Sequence, residues 1–478
     1  MAPPRHGDSL PPAFGFLPVL VANLPPLIGV LWLDWDPETL VAVYALELQL
    51  LFLLAGAKAL FAGQPPVSDR ESGVISVSSN DLVAKRGSVS VHGFLPPIYP
   101  RNVPFAAAVI YGGAWFGLFI SFSLSEVIAV SDVIRHPAVL SSVAVLLIGQ
   151  LGETGYSYIR SGRYADVSPY SVVEIPARQG FFLMAVLFIV PFIAPVTGAA
   201  GTTLALVGFV FAKLLFEWSG FRAERDGGGR LTSWLSGPDS DSALEPLDVP
   251  DDDPSAAIDV DRRAVAATAV WRAVTTTGPF YATMATFVWL GLIAIVAGEP
   301  SPALRSGSAF IAFLLFCIMF CSDIVMGVLE SGWVTYRRIG DQLVAYDRLT
   351  GDTQWSAPVG VLHNATVVET QFSDRYFDTR RLTVKTGGDD DDTERTLGPV
   401  SNPEALIETF ELPIRSTELS PLNQWLAGIA VASACLIVVA GATLLVTPFG
   451  PPAGWLYVLL LLPFLTAVPK GVWKLAHA

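Results

Sequence analysis

The sequence predicts an all-α transmembrane helix bundle of about ten spans that carries one small inserted β-rich module closed by a single helix. Three observations lead there. Of 478 residues, 52% come from AVILMFWYC and only 15% are charged, with mean hydropathy +0.52, whereas soluble domains are about a quarter charged. Apolar runs of the length needed to cross about 30 Å of hydrocarbon recur along the chain. Between 330 and 415 that pattern stops, and short alternating runs replace it. Together these exclude an ordinary soluble enzyme, a disordered protein and a small disulfide-stapled domain.

Taken in order, the apolar runs fall at 14–34, 39–61, 104–129, 137–155, 179–197, 200–218, 277–297, 307–329, 423–446 and 454–470. The stretch 179–218 divides because Pro195, Gly198, Gly201 and Thr202 punctuate it, and its length is too great for one span. Before the first run, MAPPRHGDSLPP lacks the pattern of a cleaved signal, so the run is expected to be a retained span.

Basic residues set the orientation. The connections 62–103, 156–178 and 219–276 hold 13 of the 29 Arg and Lys, including Arg70, Lys85, Arg160, Arg222 and Arg272, whereas the short connections on the other side hold only Arg135 and Arg305. Long basic connections on one side place both termini in the cytoplasm of a multi-pass plasma-membrane protein. Within 62–103, Val74–Ser78 and Ser88–His92 alternate and predict a short hairpin. The Gly-, Pro- and Asp-rich stretch 225–260 predicts a disordered acidic linker.

Charge adds a second inference. There are 43 acidic residues against 29 basic ones, and only six of the basic ones are Lys. Carboxylate-rich, lysine-poor surfaces suit very high salt, which points to a halophilic archaeon. An acidic cytoplasmic face also argues against nucleic-acid binding. Cys317, Cys321 and Cys435 lie in apolar runs without metal or disulfide spacing and are expected to pack as small hydrophobes.

Residues 330–415 read as a β module. Strand-like runs begin at Trp333, Leu343, Thr353, Ala365, Arg381 and Arg395, with turns at Gly340-Asp341 and Leu349–Asp352. Asn402-Pro403-Glu404 then opens a helix through Phe410, with Asn402 as cap and Pro403 at the first helical position. The order "GDQLVAYDRLTGDTQWSAPVGV", "RLTVKTG" and "VSNPEALIETF" resembles the bacterial pleckstrin-homology-like domains attached to membrane proteins. That resemblance implies a cytoplasmic docking or oligomerising module without catalytic residues. Residues 1–329 then form the polytopic domain and 416–478 a C-terminal membrane hairpin.

The amino-terminal spans carry "LVANLPPLIGVLWLDW", Tyr44 with Glu47, "YGGAWFGLFISF" and Lys213 with Glu217. Over about 14–329 they resemble a largely prokaryotic polytopic family, domain of unknown function 6498. In that family the second span tends to read Tyr-Trp-x-Glu-Asn; here Ala45 and Leu48 replace the Trp and Asn. The resemblance implies no known activity.

Ionisable residues inside spans each cost about 2.5–3.5 kcal/mol on insertion scales and so need a reason. Glu47, one helical turn from Tyr44, lies near the midplane and reads either as an ion- or proton-binding carboxylate or as a packing group. Glu153, Lys213, Glu217 and Asp323 fall in the inner third. Lys213 and Glu217 are spaced i,i+4. A Lys213–Asp323 pair between helices would satisfy both groups; the alternative is that each snorkels to the interface. No Walker loop, dinucleotide fingerprint, H-E-x-x-H or G-x-S-x-G motif occurs, and the five histidines are scattered. The expectation is therefore a non-enzymatic scaffold or regulator without cofactor or metal, whose partners are the lipid bilayer and a protein or second copy met through 330–415. The alternative is a small-solute or ion transporter using Glu47 and the inner charge cluster.

Overall fold

The computed structural model describes residues 37–66, 82–125, 135–182, 247–250, 252–295, 302–369, 371–387, 393–414, 416–446 and 454–477, with a few single residues between 185 and 219. The predicted runs 14–34, 200–218 and most of 179–197 lie outside them.

Helices α1 (Pro37–Phe61), α2 (Val103–Ser125) and α3 (Pro137–Glu153) form an amino-terminal group. Helix α3 continues as a π-helical segment, Thr154–Arg160. Further along, α4 (Arg262–Arg272) passes through a second π segment, Ala273–Thr277, into α5 (Gly278–Ile295), and α6 (Pro302–Ser331) returns antiparallel. Such π segments interrupt the regular ladder and recur at functional sites.

Four stretches are long and apolar enough to cross a membrane among the described residues: Ala42–Phe61, Pro100–Phe122, Val139–Arg160 and Arg305–Ser331. The described residues thus support four spans, not the full count of about ten. The runs predicted at 277–297, 423–446 and 454–470 do form helices at their expected places. All three are apolar, with no Asp, Glu, Lys or Arg in Gly278–Ile295 or Gln424–Val446 and only Lys470 and Lys474 in Gly454–Leu475.

Packing between α1 and α2 depends on close approach. A Cβ on Gly113 would stand 2.7 Å from the Phe52 side chain, and one on Gly56 would stand 2.6 Å from Ile110. Small residues of this kind let helix backbones meet where lipid supplies no hydrophobic drive. Leu48, Phe52, Val109 and Ile120 fill the resulting seam. Cys321 and Cys435 are exposed on their helices, so the expectation of buried thiols fails for them.

The β module follows α6. Strands β2 (Val334–Ile339), β3 (Gln342–Asp347) and β4 (Asp352–Pro358) form an antiparallel meander, and β5 (Leu362–Val367), β6 (Arg380–Thr386) and β7 (Thr393–Val400) form a second. Between β5 and β6 lies α7 (Phe372–Phe377), which the sequence reading did not anticipate, and α8 (Pro403–Phe410) closes the module. Asn402 caps α8 by accepting from the Ala405 amide at 3.0 Å, as expected. Leu343, Leu382, Val384, Leu397, Leu406 and Phe410 are buried in the core. The Tyr336 hydroxyl accepts from the Gly398 amide at 2.9 Å within it, and burial pushes that phenol up to about 12.

The linker expectation needs a second correction. Ala256–Asp259 is not disordered but forms β1, the edge strand of the first sheet, with Ala257 opposite Arg337 and Asp259 opposite Thr335. Four residues with two alanines carry little strand signal, and the waiting edge of β2 decides the conformation. Asp259 accepts from the Thr335 hydroxyl at 2.6 Å and from Arg348 at 2.7 Å. The sheet therefore begins before α4 and resumes after α6. The residues 225–246 lie outside the described part. In the connection 62–103, Val89 pairs with Ile98, while Val74–Ser78 lies outside the described residues.

Helices α9 (Gln424–Val446) and α10 (Gly454–Leu475) form a hairpin that packs on α5.

Candidate functional site

The polar groups of the structure gather where the helices meet the β module. At 30 residues, α6 rises about 45 Å against about 30 Å of hydrocarbon, so the turns bearing Asp323 and Glu330 reach the edge of the apolar layer. Asp323 accepts from the Thr277 hydroxyl at 2.6 Å, and Arg272 stands 4.0 Å from its other oxygen. Arg272 also lies 3.7 Å from Glu330. The second π segment makes this possible, because it brings Thr277 against α6 while Arg272 stays in the turn before it. Its neighbour Thr276 accepts from Lys470 of α10 at 2.5 Å. One turn away, Tyr111 of α2 shares a hydrogen bond with Ser322 and donates to the Ile318 carbonyl at 3.2 Å.

Glu153 pairs with Lys58 at 2.8 Å, and Tyr158 of the first π segment donates to the Lys58 carbonyl at 2.8 Å. The ends of α1 and α3 are thereby joined. Tyr44 and Glu47 are each 2% exposed, on the part of α1 that faces other helices. Lys213 and Glu217 lie outside the described residues. The cation beside Asp323 among the described residues is Arg272, which sequence reasoning had counted only as an orienting charge.

A further group escaped the sequence reading altogether. The Lys85 ammonium lies against the Asp347 carboxylate, with side-chain exposures of 3% and 0%. It also donates to the carbonyls of Leu329 and Glu330 at 2.5 and 3.1 Å, at the carboxyl end of α6, where a helix favours positive charge. Asp347 in turn accepts from the Leu349 and Thr350 amides of the β3–β4 turn at 2.7 and 3.1 Å. Next door, Gln354 accepts from the Arg86 amide at 2.8 Å and donates to the Arg86 carbonyl at 3.2 Å. One lysine thus joins the connection after α1, the end of α6 and the β module. Nothing in the local sequence of Lys85 marks it, because its partner is far along the chain.

A second tie is made by Arg381, which donates to both Asp374 oxygens at 2.9 and 3.0 Å and to Thr268 of α4 at 2.7 Å. Burial pushes the Asp374 carboxyl up against the pull of Arg381 and the Thr379 hydroxyl.

Helices of membrane-spanning length, polar groups collected at their ends and a small β module tied onto those ends define a membrane protein. Residues 8–231 match the model of a family of unknown function, DUF6498. The match covers the amino-terminal helices and stops ahead of β1, short of the 329 to which the resemblance was drawn. No curated protein and no solved structure matches the chain.

Proposed function

We propose that this chain is a multi-pass scaffold or regulator of the cell membrane, non-enzymatic and without a cofactor, which acts through the β module. The order of two antiparallel meanders closed by α8 supports reading the module as pleckstrin-homology-like. The observation that carries the proposal is the dry Lys85–Asp347 tie to α6. A module that merely tethered a catalytic domain would need a loose linker, whereas this one is fastened to helix ends and can pass a docking event to the bundle. The excess of Arg and Lys in the long connections supports a cytoplasmic module and cytoplasmic termini, and the acidic, lysine-poor surface supports a halophilic host. The remaining predicted spans belong to the same reading.

The test is purification of the full chain from native membranes, with mass photometry in nanodiscs. A stoichiometric partner or a second copy, lost when exposed module residues such as Glu408 and Glu411 are reversed to Lys, is the expected result. A monomeric, partner-free chain removes the scaffold reading.

The burial of Glu47 and Asp323 in apolar helices favours one alternative, a small-solute or ion transporter. In that case Glu47→Gln abolishes proton-coupled or substrate flux in proteoliposomes while leaving the fold intact; unchanged flux removes Glu47 from a transport path.

A further inference from the structure

The face of the β module nearest the helices carries aromatic side chains that its own core does not use. Phe372 of α7 stacks on Trp271 of α4, with ring centroids 5.1 Å apart and planes at 19°, and meets Trp473 of α10 edge-on at 5.6 Å. Beside it, Arg375 donates to the Ser420 carbonyl at 2.8 Å and to His477 at 3.3 Å, which fixes α7 against the start of the α9–α10 hairpin. Two large aromatics at this level remain uncovered: Tyr376 is 73% exposed and Trp425, in the first turn of α9, is 85% exposed.

We infer that α7 is a foot by which the β module rests in the headgroup layer, with Tyr376 and Trp425 as its lipid contacts. The occupant follows from continuity with the helix ends. Trp473 lies in the last turn of α10 and Trp425 in the first turn of the apolar α9, while Trp271 precedes the π segment two turns before the apolar α5 begins. Indole and phenol rings at such ends are amphipathic, and they collect where hydrocarbon gives way to headgroups. Lys474 is exposed in the last turn of α10, and Lys470 lies one turn before it, so the headgroups favoured are anionic phosphates. Tyr376 of the module and Trp425 of α9 are uncovered beside the packed aromatic group of Trp271, Phe372 and Trp473. In the headgroup layer their placement has a cause.

This inference rests on the membrane reading of the helices, and the test separates the two. Nitroxide labels are placed at Tyr376→Cys, Trp425→Cys and Glu408→Cys in a full chain without its native cysteines, reconstituted in phosphatidylglycerol nanodiscs. Accessibility to oxygen and to a water-soluble nickel chelate is then read. The oxygen-to-nickel ratio at 376 and 425 is expected to exceed that at Glu408 severalfold. A ratio at 376 equal to that at 408, with 425 still lipid-like, overturns the foot and leaves the membrane reading standing; both sites aqueous overturns the two together. If Tyr376→Cys does not fold, a benzophenone amino acid at 376, close in shape to tyrosine, replaces it. Photo-cross-links to lipid support the foot, and cross-links to a protein overturn it.

Discussion

Two lysine–carboxylate pairs join distant stretches of the chain at the module end of the helices, in opposite surroundings. Lys58 and Glu153 meet at 2.8 Å with side chains 18% and 45% exposed. Lys85 and Asp347 are almost fully enclosed; two backbone carbonyls accept from the ammonium and two turn amides donate to Asp347 Oδ1, while its Oδ2 faces Lys85. A wet pair can lose one partner to solvent cheaply, because water replaces it. A dry pair cannot, since the survivor stays buried and charged. The first pair therefore adjusts how α1 and α3 lie together, and the second decides whether the β module is attached to α6.

The strongest way to break this distinction is Lys85→Met. Left alone in its site, Asp347 should cost about 3–5 kcal/mol of stability, read by pulse proteolysis of the module in nanodiscs as cleavage at lower urea. A loss below about 1 kcal/mol would mean that water reaches the site, and the contrast would collapse. Next comes Lys58→Met, which should cost about 0–1 kcal/mol by the same measurement, with the module's own urea midpoint unmoved. A loss matching that of Lys85→Met would make the two pairs equivalent.

The smallest effect sharpens the comparison with a third carboxylate. The Thr335 hydroxyl, and after it Arg348, holds Asp259 below the usual carboxylate range. Its folded form binds protons less readily than its unfolded form, so its contribution is present above the unfolded pKa and is lost as pH falls through the lowered folded value. The β1–β2 pairing should therefore loosen on acidification below the ordinary carboxylate range, seen as faster amide exchange at Ala257 and Ile258. Asp259→Asn should flatten that part of the pH profile, and an unchanged profile would assign it to another group.

Legibility in the sequence followed locality. Strands β2 to β7 and the Asn402 cap were readable because period-two alternation and capping chemistry act within a few residues. Helix α1 and the long α6 were readable from apolar length alone. Strand β1 was not, since Ala-Ala-Ile-Asp sits in an acidic, proline-rich stretch and is extended only because β2 offers an edge. Among the site residues, the position of Glu153 and Asp323 towards the carboxyl ends of their helices could be counted along the sequence. Their partners Lys58 and Arg272 could not, because pairing between helices depends on docking geometry and, for Asp323, on a π segment with no sequence signature. Lys85 and Asp347 stand furthest from any local signal.

The position of β1 has a consequence for biogenesis. Its partner strand emerges from the ribosome only after α4, α5 and α6 have been made, and the two must meet on one side of the membrane. The number of crossings between 260 and 333 is therefore even in any chain whose module closes, whichever way the protein faces. Closure of the sheet works as a parity check on insertion, because an odd number of crossings between the two strands would place Ala256–Asp259 across the bilayer from Val334–Ile339. The core would then open along the unpaired edge of β2, exposing the misinserted chain to proteolysis.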